Sequence, residues 1–143
     1  MRQSVGSGVG ETAPSFRLPD LDGRIVELSD FRGRDTLLLF WNPSCGFCSQ
    51  MLPDLRDWES NRPREAPELV LVSTGSAEVN KSLGVQSTIV LDQGFSTGSA
   101  FGASGTPSAV MIDAEGKITS QVGVGAPAVL ALARLGRLAA PVH

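Results

Sequence analysis

The clearest indication of the fold is the segment Thr36-Leu-Leu-Leu-Phe-Trp-Asn-Pro-Ser-Cys-Gly-Phe-Cys48. It opens with an uninterrupted apolar run, 36–41, which is typical of a strand buried on both faces. A three-residue break that contains Pro43 ends this strand. A helix is predicted to follow, from about Cys45 to Ser60, with an apolar face formed by Met51, Leu52, Leu55 and Trp58. Both cysteines therefore fall where a buried strand gives way to a helix.

The position of the two cysteines suits thiol–disulfide exchange. A cysteine at a helix N-terminus meets unpaired backbone N–H groups and the positive end of the helix dipole, which favour the thiolate. One helical turn later, a second thiol can attack a mixed disulfide and release the product. We interpret Cys45 as the attacking thiol and Cys48 as the resolving thiol, with their disulfide as the redox group and no added cofactor. A metal site shared by two chains, a structural disulfide and a pair of inert thiols are the alternatives.

Length and composition exclude several classes of protein. The chain has 143 residues, which predicts one domain over 1–143, and we expect residues 1–13 to be a flexible lead-in. Its net charge is −3 and its aromatic content 6%, so no nucleic-acid partner is expected. The single histidine, His143, is the last residue, which leaves no histidine for a catalytic triad and too few ligands for a closed zinc site.

The sequence also bears on localisation. No apolar run approaches the roughly 18 residues of a membrane span, and residues 1–10 lack the apolar core of a signal peptide. Two expectations stay open. The protein is cytoplasmic, or the sequence is an excerpt of an extracytoplasmic protein whose leader or membrane anchor has been removed.

The remaining pattern predicts alternating strands and helices, and hence an α/β fold with a mixed sheet. We predict a hairpin over 16–28 with its turn at Asp22-Gly23, and a closing hairpin of 108–113 with 117–122. Between them, strands are predicted over 68–73 and 88–91. Helices are predicted over 76–83, over 94–102, where the signal is weak, and from Pro127 onward.

A second chemical signal lies in Gly105-Thr106-Pro107, just before the predicted strand 108–113. A proline at a strand start can follow a cis peptide bond. If this loop lies opposite Cys45, the backbone of Thr106 could pair with the backbone of a substrate, as in strand addition. An ordinary trans proline at the start of an edge strand is the alternative.

These motifs, taken together, resemble the thioredoxin-like redoxins of the AhpC/TSA-redoxin superfamily, and most closely the TlpA-like thiol-disulfide oxidoreductases. The matching motifs are Gly10-x-x-Ala13-Pro-x-Phe16-x-Leu18, Asp22-Gly23, Leu28-Ser-Asp-Phe-Arg-Gly33, Leu39-Phe-Trp41, Cys45-x-x-Cys48, Pro53, Thr106-Pro107 and Ile112-Asp-x-x-Gly116. The resemblance implies a thioredoxin-like fold with a mixed sheet flanked by helices, a catalytic cysteine pair and a cis Pro107 beside it. It also implies a reductase outside the cytoplasm, with protein disulfides as substrates and an upstream electron donor. We expect a monomer, with a membrane tether possible in the full-length protein.

Two positions depart from related families. Thioredoxins carry a buried Asp where this chain has Leu39, and cytochrome c maturation members carry a Glu where it has Met51. Either carboxylate would accept or relay the proton of the resolving thiol. Their absence predicts a resolving thiol of high pKa that uses another proton acceptor.

Five further residues are predicted to contact the substrate: Trp41, Pro43, Phe47, Thr106 and Pro107. For Trp41 we favour a place on the rim of the site over one in the core, since it adjoins the active-site loop. Phe47 is expected to be exposed.

Two other functions compete with disulfide exchange. A thiol peroxidase of the peroxiredoxin kind requires a Pro and a Thr where this chain has Phe40 and Asn42. A Cu(I)-binding thiol chaperone would use the two soft thiolates of Cys45 and Cys48, but no Met-rich or His-rich segment accompanies them.

Overall fold

A computed structural model describes residues 8–62 and 64–139, and side chains as far as Arg134. In chain order the strands are β1 (Arg17–Pro19), β2 (Ile25–Glu27), β3 (Thr36–Trp41), β4 (Glu68–Ser73), β5 (Thr88–Leu91), β6 (Ser108–Ile112) and β7 (Gly123–Val124). The helices are α1 (Gly46–Ser60), α2 (Ala77–Lys81), α3 (Ser96–Ala100) and α4 (Ala126–Ala139). Short 3-10 turns occupy Leu28–Phe31 and Gln93–Phe95.

The central sheet has five strands in the order β5-β4-β3-β6-β7. Strands β3, β4 and β5 are parallel, whereas β6 runs antiparallel to β3 and β7 antiparallel to β6. Strands β1 and β2 form a separate antiparallel hairpin. The predicted mixed sheet, flanking helices and N-terminal hairpin are therefore confirmed.

Strand β3 divides the core between the two faces of the sheet. All six of its residues are buried, as its continuous apolar run predicts. Because side chains alternate along a strand, Leu37, Leu39 and Trp41 point to one face, where they pack in a cluster with residues of α1 and α4. Leu38 and Phe40 point to the other face and pack in a second cluster with residues of the hairpin.

The N-terminal hairpin turns at the predicted place. The Asp20 carboxylate accepts hydrogen bonds from the N–H groups of Asp22 and Arg24, which closes the turn. Gly23 has a φ of 89°, a left-handed conformation that glycine adopts without a steric cost. A β-bridge between Asp20 and Val90 places the hairpin against the outer edge of β5.

The closing hairpin differs from the prediction. Strand β6 pairs with β7 at Gly123–Val124, whereas the predicted arm 117–122 contributes only a single bridge between Ile112 and Ile118. The reason is that the N–H group of Met111 donates to the Ser120 hydroxyl, which occupies the place of a backbone partner. Helix α2 likewise ends at Lys81 instead of the predicted residue 83.

Backbone hydrogen bonds hold the N-terminal segment against the rest of the domain from residue 10 onward. The N–H of Gly10 donates to the Ile118 carbonyl, the N–H of Ala13 donates to the Gly116 carbonyl, and the Glu11 carbonyl accepts from Ile118. Within the predicted flexible lead-in 1–13, residues 10–13 are thus held by backbone hydrogen bonds, and residues 1–7 lie outside the described part. Among the described residues, no helix combines the length and apolar character needed to cross a membrane.

Candidate active site

The cysteine motif occupies a turn between β3 and α1 that is fixed by Asn42. Its side-chain oxygen accepts a hydrogen bond from the N–H of Ser44 at 2.8 Å, and its backbone carbonyl accepts one from the N–H of Cys45 at 2.9 Å. These bonds place Cys45 at the N-cap of α1 with an extended backbone, φ −85° and ψ 127°. The predicted placement of the motif at a strand–helix junction is confirmed.

The two thiols have different access to solvent. Cys45 is partly exposed, whereas Cys48 has no exposed surface, and both are free thiols in this structure. A substrate can therefore reach the sulfur of Cys45 first. Cys48 lies one turn into α1 on its buried face, together with Met51 and Leu55. This arrangement agrees with the predicted attacking and resolving roles.

The surroundings of Cys45 favour its thiolate. Partial burial alone would raise the pKa of Cys45, but the N–H of Cys48, the Thr106 side chain and the N–H of Phe47 together lower it below the ordinary value of 9.0. The two N–H groups belong to the first turn of α1, where they have no intrahelical partner. Although Cys45 makes no complete capping hydrogen bond, these dipoles stabilise negative charge on its sulfur.

Cys48 shows the opposite behaviour. Burial raises the pKa of the Cys48 thiol to about 11, against smaller lowering effects from the Asn42 backbone and the Thr106 side chain. The neighbouring charge of Cys45 also disfavours a second thiolate. Cys48 is therefore held as a neutral thiol until its proton is removed.

The loop before β6 faces Cys45. The Thr106–Pro107 peptide bond is cis, and the sulfur of Cys45 lies 3.5 Å from the Thr106 carbonyl oxygen. The Ser108 hydroxyl donates to the Gly105 carbonyl at 2.8 Å and so ties the loop to the start of the strand. The cis proline predicted from Gly105-Thr106-Pro107 is confirmed.

Two clefts flank this loop. A groove of about 560 Å³ lies between α1 and the start of α4, and we call it the α1 groove. Its lining is mainly apolar and includes Phe47, Met51, Pro107 and Val124, with Asp54 as its charged member. A second, more open cleft of about 320 Å³ on the opposite side is lined by residues that include Asn42, Thr74, Phe95 and Thr106.

Some of the predicted substrate-contacting residues line these clefts. Phe47 is 70% exposed at the α1 groove, and Thr106 and Pro107 also line it. Pro43 is half-buried beside Gly75 and lines neither cleft.

The prediction that Trp41 lies on the rim is wrong, since Trp41 is only 1% exposed and belongs to the core. The alternation of β3 explains this, because Trp41 shares the face of Leu39 beneath α1. Sequence reasoning missed Gln50, Asp54 and Val124 as groove residues. The helical spacing of Phe47, Gln50 and Asp54 is the signal that could have found two of them.

The positions that hold carboxylates in related families are apolar and buried here. Leu39 is 0% and Met51 1% exposed. Neither can accept the proton of Cys48, which agrees with the raised pKa of that thiol.

A cysteine pair at the start of α1, facing Thr106–Pro107 across the edge of a mixed sheet, defines a thioredoxin-like redoxin. Residues 9–121 match the model of the AhpC/TSA family, and the chain belongs to this family. It is 31% identical over 121 residues to the thiol-disulfide oxidoreductase ResA of Geobacillus thermodenitrificans, covering 81% of this chain and 70% of the relative. It is also 31% identical to ResA of Bacillus subtilis, covering 79% of this chain and 66% of that protein.

Solved structures agree with this assignment. A structure from Chlorobium tepidum, assigned as a thiol:disulfide interchange protein DsbE, superposes with a TM-score of 0.78 and 27% identity, covering 92% of this chain and 96% of the other. The thioredoxin domain of a thiol-disulfide oxidoreductase from Bacteroides vulgatus shares the fold at a TM-score of 0.73 and 23% identity, covering 90% and 96%. The relatives and the cysteine pair together identify the chain as a thiol-disulfide oxidoreductase.

Proposed function

We propose that this chain reduces disulfides of other proteins, and that an upstream thiol donor returns the electrons. The observation that carries this proposal is the pairing of a partly exposed Cys45 of lowered pKa with a fully buried Cys48 of raised pKa. One thiol is prepared to attack, and the other is protected until the substrate is attached.

The proposed reaction has two exchange steps. The Cys45 thiolate attacks one sulfur of a substrate disulfide, which forms a mixed disulfide and releases the other substrate sulfur as a thiolate that takes up a proton. Cys48 then loses its proton and attacks the sulfur of Cys45. The Cys45–Cys48 disulfide forms, and the second substrate thiol leaves. The substrate gains two electrons and two protons, and the donor later reduces the Cys45–Cys48 disulfide. We propose that this disulfide is the only redox group that the chain requires.

The direction of transfer depends on how strongly the reduced form is stabilised. A strongly stabilised thiolate makes a dithiol pair oxidising, and nearby cationic side chains are a common source of such stabilisation. No Lys, Arg or His lines either cleft within the described residues. Only neutral donors lower the pKa of Cys45. Stabilisation of the thiolate by neutral donors, without a cationic side chain among them, supports a reductase.

The redox potential of the cysteine pair tests the direction. The protein is equilibrated in dithiol/disulfide buffers and the reduced fraction is measured by thiol labelling. A reversible two-electron couple near that of thioredoxin, about −270 mV, is expected. A value near about −120 mV would show a disulfide-forming oxidant instead. Cys45→Ser and Cys48→Ser variants serve as controls that cannot form the internal disulfide.

The same samples test the competing activities. With hydrogen peroxide as sole oxidant, consumption at a rate that matches or exceeds disulfide exchange would show that the chain is a peroxidase. Tight Cu(I) binding by the reduced protein would favour a thiol chaperone. We expect no peroxidase activity, since Phe40 and Asn42 stand at the two positions where peroxidases carry Pro and Thr. We expect no tight Cu(I) binding, because no Met-rich or His-rich segment accompanies the two cysteines.

We further propose that the site works outside the cytoplasm and that the chain is a monomer. The resemblance to TlpA-like oxidoreductases supports the location. A membrane-impermeant maleimide, added to intact cells that make the native protein, should label Cys45 after mild reduction; labelling only after lysis would place the protein in the cytoplasm.

Light scattering tests the monomeric state and should give a mass near 15.0 kDa for this chain.

A further inference from the structure

The α1 groove combines a mainly apolar lining with one negatively charged side chain. Phe47 and Val124, 70% and 64% exposed, both line it. Large apolar side chains left this open on a surface are typical of a site that a partner covers. Asp54 is the only charged residue of this lining within the described part of the chain.

The position of Asp54 on α1 sets its separation from Cys45 along the helix axis. Phe47, Gln50 and Asp54 are spaced at three, four and seven residues, so they follow one face of α1. Asp54 is nine positions after Cys45, which corresponds to about 13.5 Å along the helix axis. An extended peptide advances about 3.3 Å per residue and covers this distance in about four residues.

The charge of Asp54 is available to a partner. Within the described residues Asp54 takes part in no ion pair, although Arg134 lines the neighbouring cleft that Asp54 also borders. The next acidic residue along α1, Asp57, accepts a hydrogen bond from Asn61 at 3.2 Å and lines that neighbouring cleft, not the α1 groove.

We propose that the α1 groove selects substrate proteins by charge: the bound segment is extended, places apolar side chains beside Phe47 and Val124, and carries Lys or Arg about four residues from its reacting cysteine, opposite Asp54. This specificity rests on the proposed disulfide exchange at Cys45. The partner is therefore a cysteine-containing protein segment with an apolar and basic flank. An acidic flank is disfavoured by repulsion from the same carboxylate.

Peptides with a single cysteine, activated as a mixed disulfide with a chromophoric aromatic thiol, test this selection. The flank is otherwise apolar and carries Lys, Gln or Glu at the fourth position, in one series before the cysteine and in another after it. Stopped-flow release of the chromophore reports attack by Cys45. In at least one series we expect Lys to react roughly threefold or more faster than Glu at low salt, with Gln between them. The preference should shrink as salt rises.

Two variants with the same change in charge separate a local contact from the general field of the protein. Asp54→Asn should remove the preference for Lys over Glu, and Asp54→Lys should reverse it. Asp57→Asn should retain the preference. Thermal unfolding of each variant checks that it is folded.

The outcomes distinguish a failure of the charge selection from a failure of the proposed disulfide exchange. Equal rates for Lys and Glu peptides in both series, or a preference that survives Asp54→Asn, would overturn the charge selection while leaving disulfide exchange intact. An equal loss in Asp57→Asn would assign the effect to net charge and would also overturn it. If no peptide reacts with the reduced wild-type protein, the disulfide exchange itself is refuted.

Discussion

The sulfur of Cys45 lies 3.5 Å from the carbonyl oxygen of Thr106, although the two residues are 61 positions apart in the chain. The sheet creates this contact, because β6 runs antiparallel beside β3 and pairs Ser108 with Phe40. The segment that enters β6 therefore meets the segment that leaves β3. The pairing of β3 with β6 therefore brings the nucleophile Cys45 and the Thr106 loop together, so the environment of the Cys45 thiol depends on that loop.

The first prediction concerns the reactivity of the two thiols. Because the pKa of Cys45 lies below 9.0 and that of Cys48 is raised to about 11, only Cys45 should be alkylated rapidly near neutral pH. The rate of iodoacetamide labelling is measured against pH in Cys48→Ser and Cys45→Ser. The profile of Cys48→Ser should have its midpoint below pH 9, and labelling of Cys45→Ser should stay slow until the pH approaches 11 or the protein unfolds. Similar profiles for both would contradict the structure.

The second prediction concerns Thr106. Its side chain is one of the groups that lower the pKa of Cys45, so Thr106→Val should shift the alkylation profile of Cys45 to higher pH. Thr106→Ser retains the hydroxyl group and is the matched control, which should keep a profile close to wild type. The side chain has no such role if Val and Ser shift the profile equally.

The third prediction follows from the linkage between protonation and stability. The pKa of Cys48 is raised to about 11 in the folded protein from an ordinary 9.0. Between these values the unfolded chain has lost the proton that the folded chain retains, so the free energy of unfolding falls as pH rises. The loss should reach about 2 to 3 kcal/mol for the reduced protein, on top of any change shared with Cys48→Ala.

Urea unfolding at pH 8 to 11 measures this stability difference. Oxidised wild-type protein is a second control, since its Cys48 carries no titratable thiol. A reduced protein that follows Cys48→Ala across the whole range would show that burial does not hold the Cys48 proton.

The fourth prediction concerns the packing beside the second cleft. A Cβ atom at Gly98 would lie 2.6 Å from the ring of Phe95, which itself packs edge-on against Phe40 with ring centroids 6.2 Å apart. Gly98→Ala should therefore displace this ring and cost about 1 to 3 kcal/mol, with a fall in Tm of several degrees.

Gly46→Ala is the control for this change. It also places an alanine in a helix, but nothing lies within 4 Å of its added Cβ. Its stability should equal or slightly exceed that of wild type, because alanine has less backbone freedom to lose on folding. If both variants lose the same stability, contact with Phe95 is not the cause.

Much of the fold could be predicted because local signals and long-range packing agree. The apolar run of β3 has to be buried on both faces, and the cysteines follow it directly, so one stretch located both the sheet and the site. The single glycine and the single proline of the Gly105–Pro107 loop supported only a hypothesis, which gained weight from the cysteine motif.

The predictions for Trp41 and for the arm 117–122 were wrong because each local sequence was compatible with two placements, and tertiary contacts determined which one formed. Trp41 adjoins the active-site loop, which favoured the rim, but it is the last residue of β3, which is buried along its whole length, and its side chain packs in the core. The arm 117–122 follows a turn, as the second strand of a hairpin would, yet the N–H of Met111 donates to the Ser120 hydroxyl and the strand pairing stops there. The place of Asp54 in the α1 groove could not be predicted from the sequence, because it depends on the start of α4 forming the other side of that groove.

The complete burial of Cys48 has a consequence for side reactions. Glutathione, peroxide and other small reagents in the medium can collide with Cys45, but they cannot reach the second sulfur. Any adduct, whether a mixed disulfide or a sulfenic acid, therefore begins on Cys45, next to the one thiol able to displace it. Attack by Cys48 on such an adduct gives the same internal disulfide that normal turnover produces. The burial of Cys48 thus lets the enzyme remove adducts from Cys45 by its own resolving step. The same burial raises the pKa of Cys48, so the loss of its proton is slower.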